Sequence, residues 1–205
     1  MNRNIIITIG RQFGSGGHET AKKLAEMLEF EYYDSKLITL AAKEIGFAPE
    51  YFETFDEKPK FHGSLRLFEG IFGGNYQYDN YFSNDMIFKI QSDVILKLAE
   101  EKSCVFVGRC SDYILRNNQN VINIFIHSSI DDRIRRICKR MNVTEQKALE
   151  LVKQFDKRRA SFYNYYSNKR WGHCDTYDIS INISALGEEQ AVDFLAEFIQ
   201  KKFSV

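Results

Sequence analysis

Between positions 10 and 17 the chain carries Gly10, Gly14, Gly16 and Gly17, four of its twelve glycines. They follow a β-branched run, Ile5 to Ile9, that is too continuous for a half-exposed strand and reads as a buried parallel one. From Glu19 the pattern turns helical, with Ala21, Leu24, Ala25 and Leu28 on one face and Lys22, Lys23 and Glu26 on the other. Strand, glycine loop and helix in that order describe a place to hold phosphate. Residues without a Cβ let successive backbone N–H groups point into one concavity. The helix that follows adds its unpaired donors and the positive end of its dipole. A tight strand-to-helix turn without a ligand is the plainer alternative.

The loop departs from GxxxxGK[ST]. If Gly16 is its last glycine, Gly17 stands at the lysine position and Arg11 at the first glycine. One residue further along, His18 takes the lysine position, and Thr20 is the nearby hydroxyl expected to ligand Mg²⁺. Spacing leaves both registers open. Arg11 either supplies the missing charge from the far side of the loop or pairs with Asp34 or Glu19.

The rest of the chain repeats the alternation. Strands are expected over Phe30 to Tyr33, Cys104 to Val107, Val121 to Ile126 and Ile179 to Ile183. Helices are expected over Ser35 to Ile45, closed by Gly46, and over Asp85 to Glu101, Asp131 to Met141, Thr144 to Asn164 and Glu188 to Phe203. Such alternation implies an α/β fold, a parallel sheet covered by helices on both faces. With 205 residues and no repeat or low-complexity linker, one domain spans 1–205. The stretch 57–82 breaks the pattern, with Phe61, Phe68, Phe72, Tyr76, Tyr78, Tyr81 and Phe82 crowded around Gly70, Gly73 and Gly74. It reads as an insertion or lid over the substrate, or as a hydrophobic satellite or dimer contact.

Composition narrows the partners. Lys plus Arg equal Asp plus Glu, 28 against 28, which argues against a surface built for nucleic acid or anionic lipid. No apolar stretch approaches a membrane span, and no signal-peptide core is visible, so a cytoplasmic location is expected. Cys104, Cys110, Cys138 and Cys174, and His18, His62, His127 and His173, lack metal-ligand spacing. The cysteines read as buried free thiols.

Candidate chemistry clusters in three further places. Arg109 follows Val105-Phe106-Val107-Gly108 directly, at the carboxyl edge of a buried strand, where open α/β sheets bind ligands. Its planar fork suits phosphate oxygens, the alternative being an ion pair with Asp112. The region 131–170 is strongly basic, and Arg133, Arg136 and Arg140 fall on one helix face, able to converge on a single anion. Asp34 ends the second strand, where it either accepts a proton from a hydroxyl substrate or caps the following helix.

Five segments together resemble a known family: Ile9-Gly10-Arg11-Gln12-Phe13-Gly14-Ser15-Gly16-Gly17-His18-Glu19, Tyr32-Tyr33-Asp34, Val107-Gly108-Arg109-Cys110-Ser111-Asp112-Tyr113-Ile114-Leu115, Asp156-Lys157-Arg158-Arg159-Ala160-Ser161-Phe162-Tyr163 and Tyr177-Asp178-Ile179-Ser180-Ile181-Asn182-Ile183-Ser184. They look like the cytidylate kinase-like family of P-loop proteins, over nearly the whole chain. The resemblance implies a three-layer nucleoside monophosphate kinase fold, with a five-stranded parallel core, a monophosphate-binding segment at about 57–82 and an arginine-rich lid over 131–170. Gly14, Ser15, Gly16, Gly17, His18, Glu19 and Thr20 match its phosphate loop, and Arg109 matches the arginine of its Asp-Gly-Arg-Asp motif, which contacts the monophosphate. Val107 and Cys110 stand where true cytidylate kinases carry the flanking aspartates. Leu40 stands where their Asp-Ser-Gly-x-x-Tyr-Arg segment carries arginine.

The expectation is therefore an ATP-dependent phosphotransferase, most nearly a nucleoside monophosphate kinase. ATP with Mg²⁺ would sit on the loop with Arg11 beside it and Thr20 on the metal, and Arg109 would hold the acceptor. Arg136, Arg140 and Arg159 would close over the group in transit. One alternative is a small-molecule kinase that uses Asp34 as base on a hydroxyl acceptor. The other is a nucleotide-binding sensor, since a loop without lysine loses turnover before binding. Either enzyme reading has small-molecule partners and leaves room for a homo-oligomer.

Overall fold

Buried isoleucines set the architecture. Ile5, Ile7 and Ile9 point to one side of the first strand and Ile6 to the other, and all four are almost completely removed from water. Each such side chain contributes about 1.5–3 kcal/mol of transfer free energy, so the strand is held from both faces. The structure, a computed structural model, describes residues 4–44 and 80–204. In chain order these form β1 (Ile6–Arg11), α1 (Gly17–Leu28), β2 (Glu31–Tyr33), α2 (Ser35–Glu44), α3 (Asn80–Glu101), β3 (Cys104–Val107), α4 (Ser111–Ile114) and β4 (Val121–His127). They continue with α5 (Ile130–Met141), α6 (Glu145–Ser167), a 3₁₀ turn (Cys174–Thr176), β5 (Ile179–Asn182), α7 (Ile183–Leu186) and α8 (Glu188–Phe203).

The five strands form one parallel sheet in the order β2-β3-β1-β4-β5. Ile7 lies opposite Val105 on one side and Ile122 on the other. One face packs Ile7, Val105 and Ile124 against Leu24 of α1 and Leu195 of α8. The other packs Ile6 and Phe106 against Ile38 of α2 and Val94 of α3. A third cluster joins Phe13, Ile137, Val152 and Phe155, seating α5 and α6 on the glycine loop. From β1 the chain crosses toward β2, and from β3 it crosses back toward β4. The strand order therefore reverses between β1 and β3, which opens a crevice at their carboxyl ends.

The expected parallel sheet is the observed one, and the differences lie at the element ends. β1 continues through Gly10 and Arg11 because their backbones pair with Phe125 and Ile126. Helix α1 starts at Gly17, two residues early, because Gly16 caps it in a left-handed conformation. Helix α6 runs three residues past Asn164 and ends where Asn168 turns left-handed. Its Thr144 is the N-cap, accepting from Lys147 N at 3.3 Å. The four-residue helices α4 and α7 are too short to show a period. Expected features over 45–79, including the Gly46 cap and nearly all of the aromatic stretch, lie outside the described residues. Cys104 and Cys110 are buried, but Cys174 is exposed, so the buried-thiol reading does not hold for it.

Candidate active site

Gly14 (φ 77°) and Gly16 (φ 86°) hold the loop in left-handed conformations that side chains resist. A Cβ on Gly14 would also lie 2.9 Å from the Arg133 carbonyl oxygen. Because Gly16 caps α1 and Gly17 opens it, Gly17 stands at the lysine position and His18 at that of the hydroxyl. Thr20 lies a turn further in. It is fully buried, and its hydroxyl donates to the Gly16 carbonyl at 3.0 Å. Thr20, expected as a magnesium ligand, thus bonds to the loop backbone and is not among the residues that border the cavity beside the loop.

The loop amides divide into two sets. Phe13 N donates to Asp156 Oδ1 (2.8 Å), Ser15 N to the Gln12 carbonyl (3.3 Å) and Gly17 N to Ser15 Oγ (3.3 Å). Among the described residues the amides of Gly14, Gly16 and His18 have no such acceptor. They border a cavity of about 370 Å³, shared with Arg11, Glu19, Asp34 and Arg140. Unclaimed N–H groups at a helix N-terminus fit a polyphosphate. For Mg²⁺, which keeps several waters and takes phosphate oxygens, the bordering carboxylates are Asp34 and Glu19. Among the described residues, no three His, Cys, Asp or Glu side chains converge as metal ligands.

Helices α5 and α6 are bolted to this loop. Phe13 stacks on Phe155 with ring centroids 4.2 Å apart, and Arg133 Nε donates to the Phe13 carbonyl at 2.8 Å. Arg133 is also ion-paired with Asp156. The expectation that Arg133 joins Arg136 and Arg140 on one anion is therefore wrong. Arg133 is only 6% exposed and committed to the loop backbone. Arg136 donates through Nη1 to the Ser15 carbonyl (3.2 Å) and Ser128 Oγ (3.3 Å), and its guanidinium carbon lies 3.6 Å from where a Cβ on Gly16 would be. Arg140 sits over the Phe13 ring, 5.2 Å from its centroid.

Across the crevice, Gly108 (φ 80°), Arg109 (φ 61°) and Cys110 (φ 54°) are left-handed in succession. Two of them are not glycines, an uncommon and costly run of the kind found at ligand clamps. The turn brings Arg109 to a second, smaller cavity of about 60 Å³, lined also by Phe162, Tyr163, Trp171 and Tyr177. Asp112 does not ion-pair with Arg109; it accepts a hydrogen bond from Tyr163 Oη, and burial raises its pKa. Burial first, and then the nearby Arg11 charge, bring the pKa of Arg109 down to about 10. Arg159 donates Nη1 to the Arg11 carbonyl at 2.8 Å, and its buried Nε has no partner among the described residues. Its pKa is also lowered, by burial and then by the charge of Arg11.

The two cavities have Arg11, Ser35 and Arg159 in common. Among the described residues, neither Arg11 nor Arg159 forms an ion pair with a carboxylate. Arg11 therefore pairs with neither Asp34 nor Glu19. Asp34 instead accepts from Lys36 N (2.9 Å) and Leu37 N (3.0 Å) through Oδ1, and faces His18 Nε2 at 3.2 Å through Oδ2. The His18 contact, opposed by desolvation and helped by the two amides, brings its pKa to about 2. So held, Asp34 is a helix cap and a weak proton acceptor. Sequence reasoning missed Phe13, Asp156 and Ser35. The one available signal was an aromatic residue set inside a glycine loop.

A family model described as the cytidylate kinase-like family matches residues 6–185. The chain belongs to the cytidylate kinase-like family. An uncharacterized protein from Eubacterium ventriosum is 33% identical, with a TM-score of 0.73, over 96% of this chain and 99% of that one. Shikimate kinase from Bacteroides thetaiotaomicron is 14% identical, with a TM-score of 0.53, over 98% and 99% of the two chains. TT1252 from Thermus thermophilus is also 14% identical, with a TM-score of 0.56, over 97% and 98%. The last two likenesses concern the fold alone, which is that of P-loop kinases. No curated protein matches the chain. Membership of this kinase-like family supports a phosphotransferase. Among the described residues no helix is long and apolar enough to cross a membrane.

Proposed function

We propose that the chain is an ATP-dependent phosphotransferase that acts on a phosphorylated acceptor, most nearly a nucleoside monophosphate. The observation that carries this reading is the shared wall: the glycine-loop cavity and the Arg109 cavity meet at Arg11, Ser35 and Arg159. A donor on one side and an acceptor on the other would face each other across two guanidiniums that lack carboxylate partners among the described residues. Bound ATP with Mg²⁺ would supply the phosphoryl group and neutralise part of its charge.

The protein's part is positioning and electrostatics, which dominate phosphoryl transfer. The amides of Gly14, Gly16 and His18 cradle the donor phosphates. Arg136 and Arg140 add charge from α5 beside the loop. Arg109 grips the acceptor phosphate with its two parallel donors. Arg11 and Arg159 take up the charge on the equatorial oxygens of the group in transit. An acceptor that is already phosphorylated arrives as an anion and needs no base, which agrees with an Asp34 held near pKa 2. That same pKa disfavours the hydroxyl-acceptor reading.

A coupled assay of ADP formation tests this, with CMP, other nucleoside monophosphates and simple hydroxyl acceptors offered in parallel. Turnover with a monophosphate supports the proposal. Turnover only with a hydroxyl acceptor replaces it by the small-molecule kinase reading. Nucleotide binding without turnover on any acceptor favours the sensor.

A further inference from the structure

Gly17 stands at the lysine position of the loop, and the structure shows what keeps a side chain out. A Cβ there would lie 2.7 Å from Arg11 Cβ and 3.2 Å from Arg11 Cγ. The Gly17 backbone is not left-handed, so conformation does not exclude other residues. Apart from Ile126 Cβ, at 3.2 Å, the obstacle is the Arg11 stem. That stem runs on to Gly108, where an added Cβ would collide with Arg11 Nη1. Two glycines from different segments thus leave a slot that the Arg11 side chain fills, from the helix start to the edge of β3. Its guanidinium ends at the wall common to both cavities.

We infer that Arg11 replaces the lysine of the phosphate loop, reaching the transferring phosphoryl group from the β1 side, and that Gly17 is a glycine because Arg11 passes over it, while Gly108, already left-handed, leaves room for the guanidinium end. This rests on the phosphotransfer reading. A lysine at position 17 would start on α1 and reach into the same space, so the cation has moved between elements while its place at the phosphates is kept. The other candidates are engaged elsewhere. His18 faces Asp34 at 3.2 Å, and Arg136 donates to the loop carbonyls. In the transfer one P–O bond breaks, its electron pair leaving on the donor's bridging oxygen, and one forms to the acceptor oxygen. Arg11 gives and takes no proton, and its fork holds the equatorial oxygens throughout.

Exchanging the two positions tests the inference. Calorimetric titration of ATP and of ADP, each with Mg²⁺, is to be run on the wild type, Arg11→Gly, Arg11→Gln and the double variant Arg11→Gly with Gly17→Lys. ADP lacks the group Arg11 contacts. Both single variants should therefore lose ATP affinity by on the order of 10- to 100-fold relative to ADP. The double variant should regain it, since the vacated slot admits a lysine. Arg11→Gln keeps the stem between the glycines, so it reports on the charge even if Arg11→Gly fails to fold. An unchanged ATP-to-ADP ratio in Arg11→Gln, with the wild type binding both, overturns this inference alone. A wild type that binds neither nucleotide overturns the phosphotransfer reading as well.

Discussion

The two sides of the crevice are built by different physics. On the donor side the cradle is backbone, and side chains only brace it: Asp156 takes the Phe13 amide, Arg133 takes the Phe13 carbonyl, and the two pair with each other. On the acceptor side the ligand groups are cations beside a left-handed turn, Gly108 to Cys110, where burial first, and then the charge of Arg11, lowers the pKa values of both Arg109 and Arg159. On the donor side the bracing charge is matched within the protein, Arg133 by Asp156, while the amides of Gly14, Gly16 and His18 stay open to a ligand. The acceptor side holds like charges together, an arrangement that an incoming phosphate relieves. The same contrast bears on the expected lid. Arg133, Phe13 and Phe155 tie α5 and α6 to the loop, so these helices form a wall of the donor site in the described structure.

The largest effect should come from breaking the brace. Asp156→Ala leaves Arg133, 6% exposed, without its carboxylate. Loss of one partner from a buried pair costs about 3–5 kcal/mol. Urea unfolding monitored by circular dichroism reads that loss directly. A cost no larger than that of a surface substitution would mean that the loop is not held from α6. Replacing both partners by apolar residues should cost less than Asp156→Ala, since no charge is then stranded.

A smaller effect, on ligand affinity, is expected across the crevice. Arg109→Ala should weaken binding of the acceptor monophosphate by about 1.5–3 kcal/mol, the range for a charge-assisted hydrogen bond. ATP affinity should be kept. Titrating the two ligands separately checks this, and a loss confined to ATP would place Arg109 on the donor side.

The smallest effect concerns Asp34. Its folded pKa, about 2, lies below its ordinary 3.8, so it contributes stability that is fully present above pH 4. That contribution fades as pH falls through 3.8 toward 2. Because the group is partly open to solvent, the contribution is at most about 1 kcal/mol after screening. Asp34→Asn should therefore flatten the acid limb of the stability profile between pH 4 and pH 2. An unaltered limb would mean that His18 and the α2 amides do not hold the carboxylate.

The sheet was legible because Cys104 to Val107 is apolar without interruption and Ile5 to Ile9 is broken only by the β-branched Thr8, a pattern that fits a strand covered on both faces. The loop was legible from its glycines, but its register was not. Which glycine caps the helix depends on the φ of Gly16, and spacing does not encode a dihedral angle. Helical periodicity placed Arg133, Arg136 and Arg140 on one face correctly, yet it could not see Asp156, 23 residues away, which takes Arg133 out of the group. Likewise nothing local marks Gly17 and Gly108 as a pair. Their relation to Arg11 exists only once β1 and β3 lie side by side.

The central claim is that donor and acceptor meet across Arg11 and Arg159, and a ligand that spans both cavities tests it most directly. Adenosine and cytidine joined through a five-phosphate chain should bind roughly 10²- to 10⁴-fold more tightly than ATP, because the second half binds at high effective concentration. Gly16→Leu, which disrupts the loop, and Arg109→Ala should each remove most of that gain. Binding no tighter than ATP alone, in calorimetry with Mg²⁺ present, would contradict the account, because the two cavities would then not be halves of one site.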